Sequence, residues 1–394
     1  MLSCPELLSP AGSLEALKYA VMYGADAVYC ALPRFGMRAA PVNLTIGELH
    51  DGCIFAHARG KKVYLTLNNL PTNDELSELP QYIKDAAEAG VDAFIIADLG
   101  VLSLAKEYAP DVDVHFSTQA GITNYAAATM AYNLGAKRVV LARELTLTDI
   151  AQIRDNTPPE LELEAFVHGA MCMSVSGRCL LSSYMTGRSG NRGACAGPCR
   201  LPFDATNGLR PGQPGKACHL SLKDMDLVPH MAQLKAAGVA SIKIEGRLRT
   251  PEYAAAAVTA CRAARAGQPY DEALLRDIFS RSGFSDAYLV GRNDGTMFGV
   301  RTEADAAATR AATPKARELF RRELERIPVH FCVSGGVEDG GIKLTAFDDN
   351  GSRVNVYSAD EPQPAQKDPA PGISQHITGP QFLPIIPVSY THLT

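Results

Sequence analysis

The sequence lacks any segment suited to crossing a membrane. No run of about 18 consecutive apolar residues occurs among its 394 residues. The first twenty residues also lack a basic stretch followed by an uninterrupted apolar run, the pattern of a secretory signal. Hydrophobic residues make up 46% of the chain and charged residues 21%, which is typical of a globular protein with a sizeable core. These features predict a cytoplasmic protein without membrane contact.

An overall excess of positive charge is also absent. The formal net charge of −5 argues against a uniformly basic nucleic-acid-binding protein, because binding to phosphates depends on Lys and Arg. Residues 172–216 differ from the rest, since Asp204 is their single acidic residue. We call their basic residues the basic island: Arg178, Arg188, Arg192, Arg200, Arg210 and Lys216. The island is either an anion-binding surface or a solvated loop with loose ion pairs.

Short β-rich runs alternate with amphipathic helical stretches, a pattern typical of parallel strands joined by crossover helices. The predicted strands are 6–8, 25–31, 62–68, 91–98, 112–118, 137–143, 161–168 and 239–245, and a final helix spans 251–266. This count predicts an α/β fold, a (β/α)8 TIM-like barrel over residues 1–267, with an open doubly wound sheet as the alternative.

Polar residues collect where these strands end, which is where barrel enzymes place their active sites. They include three acid–base candidates, His168, Glu144 and Glu245, and a set of candidate substrate-binding residues, namely Asn68, Asp98, Gln119, Asn124, Arg143 and Arg247. For each of them the alternative is a structural role, because Asp, Asn and Ser at strand ends often cap the next helix.

Two regions depart from the barrel pattern. Residues 169–227 form an insertion after the seventh strand that is far longer than an ordinary βα loop. After the barrel, a helical and loop-rich extension is predicted over 268–326, with a charged helix from 303 that breaks at Pro314. Residues 327–359 predict the start of a small β domain, and 360–394 form a Pro-rich tail. We expect a truncated β domain and non-native residues at the end of the tail.

Five of the ten cysteines lie in the insertion, and four of them, Cys172, Cys179, Cys195 and Cys199, are clustered with the spacing C-x6-C-x15-C-x3-C. A reducing compartment disfavours disulfides, and one pair has the close spacing typical of zinc sites while the other does not. Iron–sulfur sites tolerate more variable spacing. Spacing alone does not decide whether the four cysteines bind zinc or an iron–sulfur cluster. A weaker hypothesis is that one cysteine is a nucleophile beside Arg178 or His168. Cys218 is a candidate to replace one ligand.

Residues 164–182, EAFVHGAMCMSVSGRCLLS, resemble the signature of peptidase family U32, the collagenase-like proteins. Further stretches resemble the family across about the first two thirds of the chain, including ELLSPAG, STQAGITN, SGNRGACAGPCR, SLKDMDL and KIEGRLRTPEYAA. The sequence has no G-x-S-x-G elbow and no H-E-x-x-H helix, so it gives no independent support to the peptidase in the family's name.

The resemblance implies a hydroxylase that works without O2. Some better-understood members are thought to hydroxylate a pyrimidine of ribosomal or transfer RNA with prephenate as oxygen donor, and others the ring of a ubiquinone precursor, with a [4Fe–4S] cluster held by cysteines of this region. The chain looks most like the ribosomal-RNA cytidine hydroxylase branch. Asp226 stands where the ubiquinone-related branch has a cysteine. The implied ligands are therefore Cys172, Cys179, Cys195 and Cys199, of which the fourth is the least secure.

The leading hypothesis is a cluster-dependent RNA hydroxylase whose barrel mouth accepts an extruded nucleotide. Arg178 and Arg192 of the basic island would hold phosphates, and Arg143 or Arg247 would pair with the carboxylates of a donor such as prephenate. One rival is a peptidase with a thiol or a Ser/His pair. The other is a non-catalytic RNA-binding or assembly factor that uses metal only to fold its insertion.

Overall fold

The structure, a computed structural model, describes residues 4–37, 43–205, 215–323, 329–336, 341–348 and 353–358. It divides into two compact units, residues 1–323 and 324–394. In the described part of the chain, no helix combines the length and the apolarity that a membrane crossing requires.

The first unit contains the predicted barrel. Eight parallel strands pair in chain order and close on themselves: β1 (Glu6–Pro10), β2 (Ala27–Cys30), β3 (Lys62–Leu67), β4 (Ala93–Ile96), β5 (Asp113–Phe116), β6 (Arg138–Val140), β7 (Glu162–Ala170) and β11 (Ser241–Ile244). Closure is made by β11, which pairs with β1 on one side and with β7 on the other. The predicted (β/α)8 fold is confirmed, and the open sheet is excluded.

Helices connect the strands on the outside of the barrel. They are α1 (Leu14–Met22), α2 (Ile46–His57), α3 (Leu79–Glu88), α4 (Leu99–Tyr108), α5 (Tyr125–Asn133), α6 (Leu147–Asp155), α8 (Met231–Ala236) and α9 (Pro251–Arg265). Most begin at a residue suited to capping. Thr45 and Glu48 form a reciprocal capping box at α2, and Thr250 caps α9 just before a proline at the first helical position.

The barrel interior has an apolar layer and a charged layer. Leu8, Ala27, Tyr29, Tyr64, Ala93 and Ile95 form a buried cluster in the lumen. The second layer centres on Glu164, which accepts hydrogen bonds from Lys243 Nζ at 2.8 Å and from Arg138 Nη1 at 3.0 Å. Burial alone would raise the pKa of Glu164, but these two cations hold it below its ordinary value. The lumen is therefore filled with side chains, and ion pairs of Glu164 with Lys243 and Arg138 hold its charged layer together.

The insertion lies between β7 and α8. It contains α7 (Leu181–Thr186), a hairpin of β8 (Phe203–Ala205) and β9 (Gly215–Ala217), and β10 (Asp224–Asp226). Strand β10 pairs antiparallel with the end of β7 and parallel with β12 (Phe284–Ser285), so the insertion joins the sheet at the seventh strand and the extension joins it through β10.

The extension comprises α10 (Glu272–Ile278), β12 and α11 (Glu303–Glu323). The prediction that the charged helix breaks at Pro314 is wrong, since α11 runs through that residue. Proline removes one backbone hydrogen bond of a helix. Here Ala312 and Ala316, on either side of Pro314, are buried in the core shared with α9 and α10. This packing stabilises the helix on both sides of the missing bond.

The second unit contains an antiparallel meander of β13 (Val329–Gly336), β14 (Gly341–Asp348) and β15 (Arg353–Ser358), in the region where the sequence predicts the start of a small β domain. The tail at 360–394, with the predicted non-native end, lies outside the described residues.

Candidate functional site

A cavity of about 820 Å³ opens at the carboxyl ends of the barrel strands, beneath the insertion. Its barrel side includes Tyr29, Thr66, Asn68, Ser117, Gln119, Arg143, Phe166, Lys243, Glu245 and Arg247. Its other side comes from the insertion, which includes Cys172, Cys179, Arg188, Cys195, Cys199 and Arg200. The segment that carries the four cysteines therefore covers the mouth of the barrel.

All four predicted cysteine ligands line this cavity as free thiols. The Sγ of Cys179 accepts a hydrogen bond from the backbone N–H of Leu181 at 3.3 Å, and the Sγ of Cys195 accepts one from Gly197 at 3.3 Å. Backbone N–H groups directed at sulfur are a feature of thiolates that ligate iron–sulfur clusters. Cys218 does not line the cavity.

The thiols also influence one another electrostatically. Burial raises the pKa of the Cys199 thiol, Arg200 opposes this effect, and Cys172, Cys195 and Cys179 add to it. Four thiolates so close together repel unless cations or metal ions compensate them. Within the described chain, however, no three His, Cys, Asp or Glu side chains are grouped closely enough to ligate a single metal ion.

The cavity is strongly cationic. Arg143, Arg188, Arg200, Arg247, Lys243 and Arg281 line it, against Glu245 as the one acidic residue of that lining. Arg143 Nη2 donates to Glu245 Oε2 at 3.1 Å, and its guanidinium lies 3.8 Å from the centroid of the Phe166 ring. Lys243 Nζ lies 4.4 Å from the centroid of Tyr29. Such an arrangement favours a small ligand that carries carboxylate or phosphate groups.

Three predicted site residues fasten the insertion to the barrel instead of lining the cavity. Glu144 accepts hydrogen bonds from the backbone N–H of Ser176 at 2.8 Å and from its hydroxyl at 3.1 Å. Arg178 donates to backbone carbonyl oxygens after β5. Arg192 forms two hydrogen bonds with the carboxylate of Glu75, at 2.8 and 3.0 Å. Arg178 and Arg192 of the basic island thus hold the insertion against the barrel.

Gly177 shows how tightly the insertion is held. Its φ of +80° belongs to the left-handed region, and a Cβ there would come within 2.7 Å of Gln119 Nε2. A Cβ at this position would have to displace the amide of Gln119, so the chain between Cys172 and Cys179 lies in close contact with the barrel here.

Three further candidates lie away from the cavity. Asp98 accepts hydrogen bonds from the backbone N–H groups of Gly100 and Val101, and Asn124 caps α5, so both have the capping role that was the alternative. His168 is a buried residue of β7, and its ring stacks on Tyr253 with centroids 5.8 Å apart. The nearest carboxylate oxygen of Asp226 is 3.6 Å from His168 Nδ1.

The structure brings together Asn68, Gln119, Arg143, Glu245, Arg247 and the four cysteines, as the sequence predicted. Lys243, Tyr29 and Arg281 were missed. Lys243 could have been found, because strand alternation places it on the same face as Ser241 and Glu245. Arg281 comes from the extension, where no periodic pattern points toward the barrel.

The fold and the site define the class of protein: a (β/α)8 barrel whose mouth is covered by a segment with four cysteines and whose cavity is lined mainly by cationic side chains among its charged residues. The family model described as peptidase family U32 matches residues 12–298. The chain belongs to this family, which confirms the predicted resemblance.

Three relatives indicate the range of the family. The tRNA hydroxylation protein P of Helicobacter pylori (strain J99) is 41% identical over 304 residues, covering 73% of this chain and 72% of the relative. The 23S rRNA 5-hydroxycytidine C2501 synthase of Escherichia coli (strain K12) is 39% identical over 248 residues, or 63% of this chain and 37% of the relative. The Collagenase of Porphyromonas gingivalis (strain W83) is 35% identical over 316 residues, covering 74% of each chain. These values do not single out the ribosomal-RNA branch.

Proposed function

We propose that this protein hydroxylates a pyrimidine of RNA without O2, using an iron–sulfur cluster and a small dicarboxylate oxygen donor such as prephenate. One observation carries the proposal: four free cysteines and a set of arginines and a lysine surround the same cavity. Relatives named for hydroxylation of tRNA and rRNA support the choice of RNA as substrate.

Cys172, Cys179, Cys195 and Cys199 would hold a [4Fe–4S] cluster. Two features of these thiols favour a cluster over one zinc ion. All four border a cavity, and Cys179 and Cys195 accept hydrogen bonds from backbone N–H groups. When bound, the cluster would supply electron-transfer or Lewis-acid chemistry next to the substrate.

The protein side chains have separate tasks in this proposal. Arg143 and Arg247 would bind the donor's carboxylates, because a planar guanidinium can pair with a carboxylate through two hydrogen bonds. Lys243, held by Glu164, places a positive charge at the cavity floor. Glu245, which is ion-paired with Arg143, is the acid–base candidate that lines the cavity, and His168 and Glu144 are not placed to reach it.

Hydroxylation replaces a C–H bond of the base with C–OH, a two-electron oxidation. The donor must therefore give up one oxygen atom and accept two electrons, which explains why the proposal needs no O2. The base must leave its stack, since its ring carbons cannot be reached inside a helix.

The test is an anaerobic reaction of the iron-reconstituted protein with unmodified RNA and prephenate, followed by nucleoside mass spectrometry. We expect one pyrimidine nucleoside to gain the mass of one oxygen atom, and this product to vanish without prephenate or in a Cys172→Ser variant. No added oxygen under any of these conditions would refute the proposal.

A peptidase is the second candidate, because the Porphyromonas relative is named Collagenase. The same preparation should then digest denatured collagen, and digestion should persist after the iron is removed. Under the hydroxylase proposal we expect no digestion in either state.

A further inference from the structure

Four arginines gather where the insertion, the last barrel loop and the extension meet. We call Arg200, Arg249, Arg281 and Arg301 the arginine cluster. The Phe279 ring lies at its centre, with guanidinium carbons 3.4 Å from the ring centroid for Arg249, 4.3 Å for Arg301 and 5.2 Å for Arg281. Arg200 and Arg281 also line the cavity, so the cluster continues the cavity's positive charge outward.

Negative charge does not balance this cluster. Within the described chain, the one carboxylate at ion-pair distance is that of Asp224, which is buried and bonded to Arg281. Arg200 donates to Ser221 Oγ and to backbone carbonyl oxygens, and Arg301 donates to Thr309 Oγ1 at 2.9 Å.

Arg249 is the least satisfied member. No described residue accepts a hydrogen bond from its guanidinium or forms an ion pair with it. Burial lowers the pKa of Arg249, and the nearby positive charge of Arg281 lowers it further. Holding these cations together costs free energy unless an anion binds among them.

The geometry of the cluster suits a phosphate group. A guanidinium that stacks on an aromatic ring uses its flat face, which leaves its in-plane N–H donors available for hydrogen bonds. Arg249 lies in the loop after β11, the last barrel strand, and the loops after the seventh and eighth strands of this fold frequently bind phosphate. Phe279 and Arg301 come from the extension, and the hydroxylase proposal gives these two residues no role.

We propose that the arginine cluster binds a backbone phosphate of the RNA, next to the nucleotide that enters the cavity. This inference rests on the proposed function, because it takes RNA as the partner. RNA fits better than a small phosphorylated molecule because the cluster is continuous with the cavity through Arg281, so a nucleotide in the cavity would bring its flanking phosphates to this position.

The test measures binding, not activity. Fluorescence anisotropy of a labelled RNA stem-loop is recorded over a series of salt concentrations with wild-type protein, Arg249→Gln, Arg301→Gln and Arg249→Lys. Arg310→Gln is the matched control, because it removes the same charge from an exposed position on α11. Sodium pyrophosphate alone is titrated in parallel, and melting temperatures show whether each variant is folded.

We expect each Gln variant in the cluster to bind RNA about tenfold more weakly, since one charge-assisted hydrogen bond contributes about 1.5 kcal/mol. The slope of log affinity against log salt should fall by about 0.7 to 0.9 for each RNA phosphate that the variant no longer neutralises. Arg249→Lys should keep most of that slope, and Arg310→Gln should resemble the wild type.

The possible failures are distinguishable. If wild-type protein binds RNA but folded cluster variants bind it as tightly as Arg310→Gln, the inference is overturned and the proposed function stands. If wild-type protein binds no RNA, the proposed function fails along with the inference. Binding of pyrophosphate without RNA would overturn the RNA assignment and identify a site for small phosphates.

Discussion

Removal of the Glu164 carboxylate should destabilise the barrel through Lys243. Glu164 is fully buried and accepts hydrogen bonds from Lys243 at 2.8 Å and from Arg138 at 3.0 Å. In Glu164→Gln, Arg138 keeps its ion pairs with Glu6 and Glu162, both at 2.6 Å. Lys243 has no second carboxylate at ion-pair distance among the described residues, so its charge would be left uncompensated.

The expected cost can be estimated from this geometry. Removing one partner of a buried ion pair costs about 3–5 kcal/mol. The side chain of Lys243 is only 5% exposed, but it lines a cavity that gives it some access to water, which places the value near the lower end. We therefore expect a loss of about 3 kcal/mol in the free energy of unfolding and a melting temperature lower by about 6 °C.

The pH dependence of this loss has a defined direction. The pKa of Glu164 in the folded protein lies below its ordinary value of 4.5, so its ionised form stabilises the fold at any pH above that value. The stabilisation disappears as the pH falls through the folded pKa. The difference between wild type and Glu164→Gln should therefore be largest at neutral pH and shrink toward acid.

Urea denaturation measures these effects. In the double variant Glu164→Gln with Lys243→Met, most of the stability should return, because replacing both partners of a buried pair leaves no unpaired charge. Glu162→Gln serves as the control, since this carboxylate is 32% exposed and its removal should cost less than about 1 kcal/mol. A cost below about 1 kcal/mol for Glu164→Gln, or no recovery in the double variant, would refute the reasoning.

Three further predictions concern the cavity and its lid. In steady-state assays, Arg143→Lys should raise the KM for prephenate about tenfold and leave the KM for RNA unchanged, because lysine cannot form the two parallel hydrogen bonds that a guanidinium makes with a carboxylate. Equal effects on the KM values of both substrates would contradict this role of Arg143. Gly177→Ala should lower the iron bound per chain, whereas Gly187→Ala should not, because Gly187 has a similar φ of +72° but no atom within 4 Å of the added Cβ. Equal iron contents in the two variants would show that the close contact at Gly177 does not matter for the site. Arg192→Ala should increase hydrogen exchange in residues 186–196 with little change in melting temperature. Since Arg192 lowers the pKa of Glu75 to about 2, the protection factors of these residues in the wild type should persist above the ordinary pKa of 4.5 and fall toward pH 2, and protection factors that stay constant over this range would argue against the anchor.

The barrel could be predicted because its strands are runs of apolar residues separated by capped amphipathic helices, and these patterns are local. The common cavity of the four cysteines also followed from position, since the segment that carries them begins at a strand end. Burial and hydrogen bonding within this segment, such as the N–H bond to Cys195 Sγ, could not be read from spacing.

The roles of individual polar residues were less predictable because they depend on long-range packing. Asp98 follows β4 and Asn124 lies in the loop after β5, but both serve as helix caps, so local hydrogen bonding outweighs any role in the site. Glu144 and Arg192 hold the insertion through contacts with residues distant in sequence. Sequence spacing shows that such a residue is near the barrel mouth and does not show which way it points.

Helix α11 illustrates a tertiary effect that overrides a local signal. Pro314 predicts a break, yet buried alanines on both sides keep the helix continuous. Nor could the arginine cluster be predicted, since its members come from the insertion, the loop after the last barrel strand and the extension, and none of these segments has a periodic pattern.

The most direct test of the central claim is an anaerobic absorption spectrum of the purified protein, with iron, sulfide and zinc quantified on the same sample. A [4Fe–4S] cluster held by the four cysteines should give thiolate-to-iron absorption near roughly 400 nm and nearly equal amounts of iron and sulfide, and all three signals should disappear when Cys172, Cys179, Cys195 or Cys199 is changed to Ser. A colourless protein that contains stoichiometric zinc and no iron, and whose zinc is absent from the same variants, would contradict it.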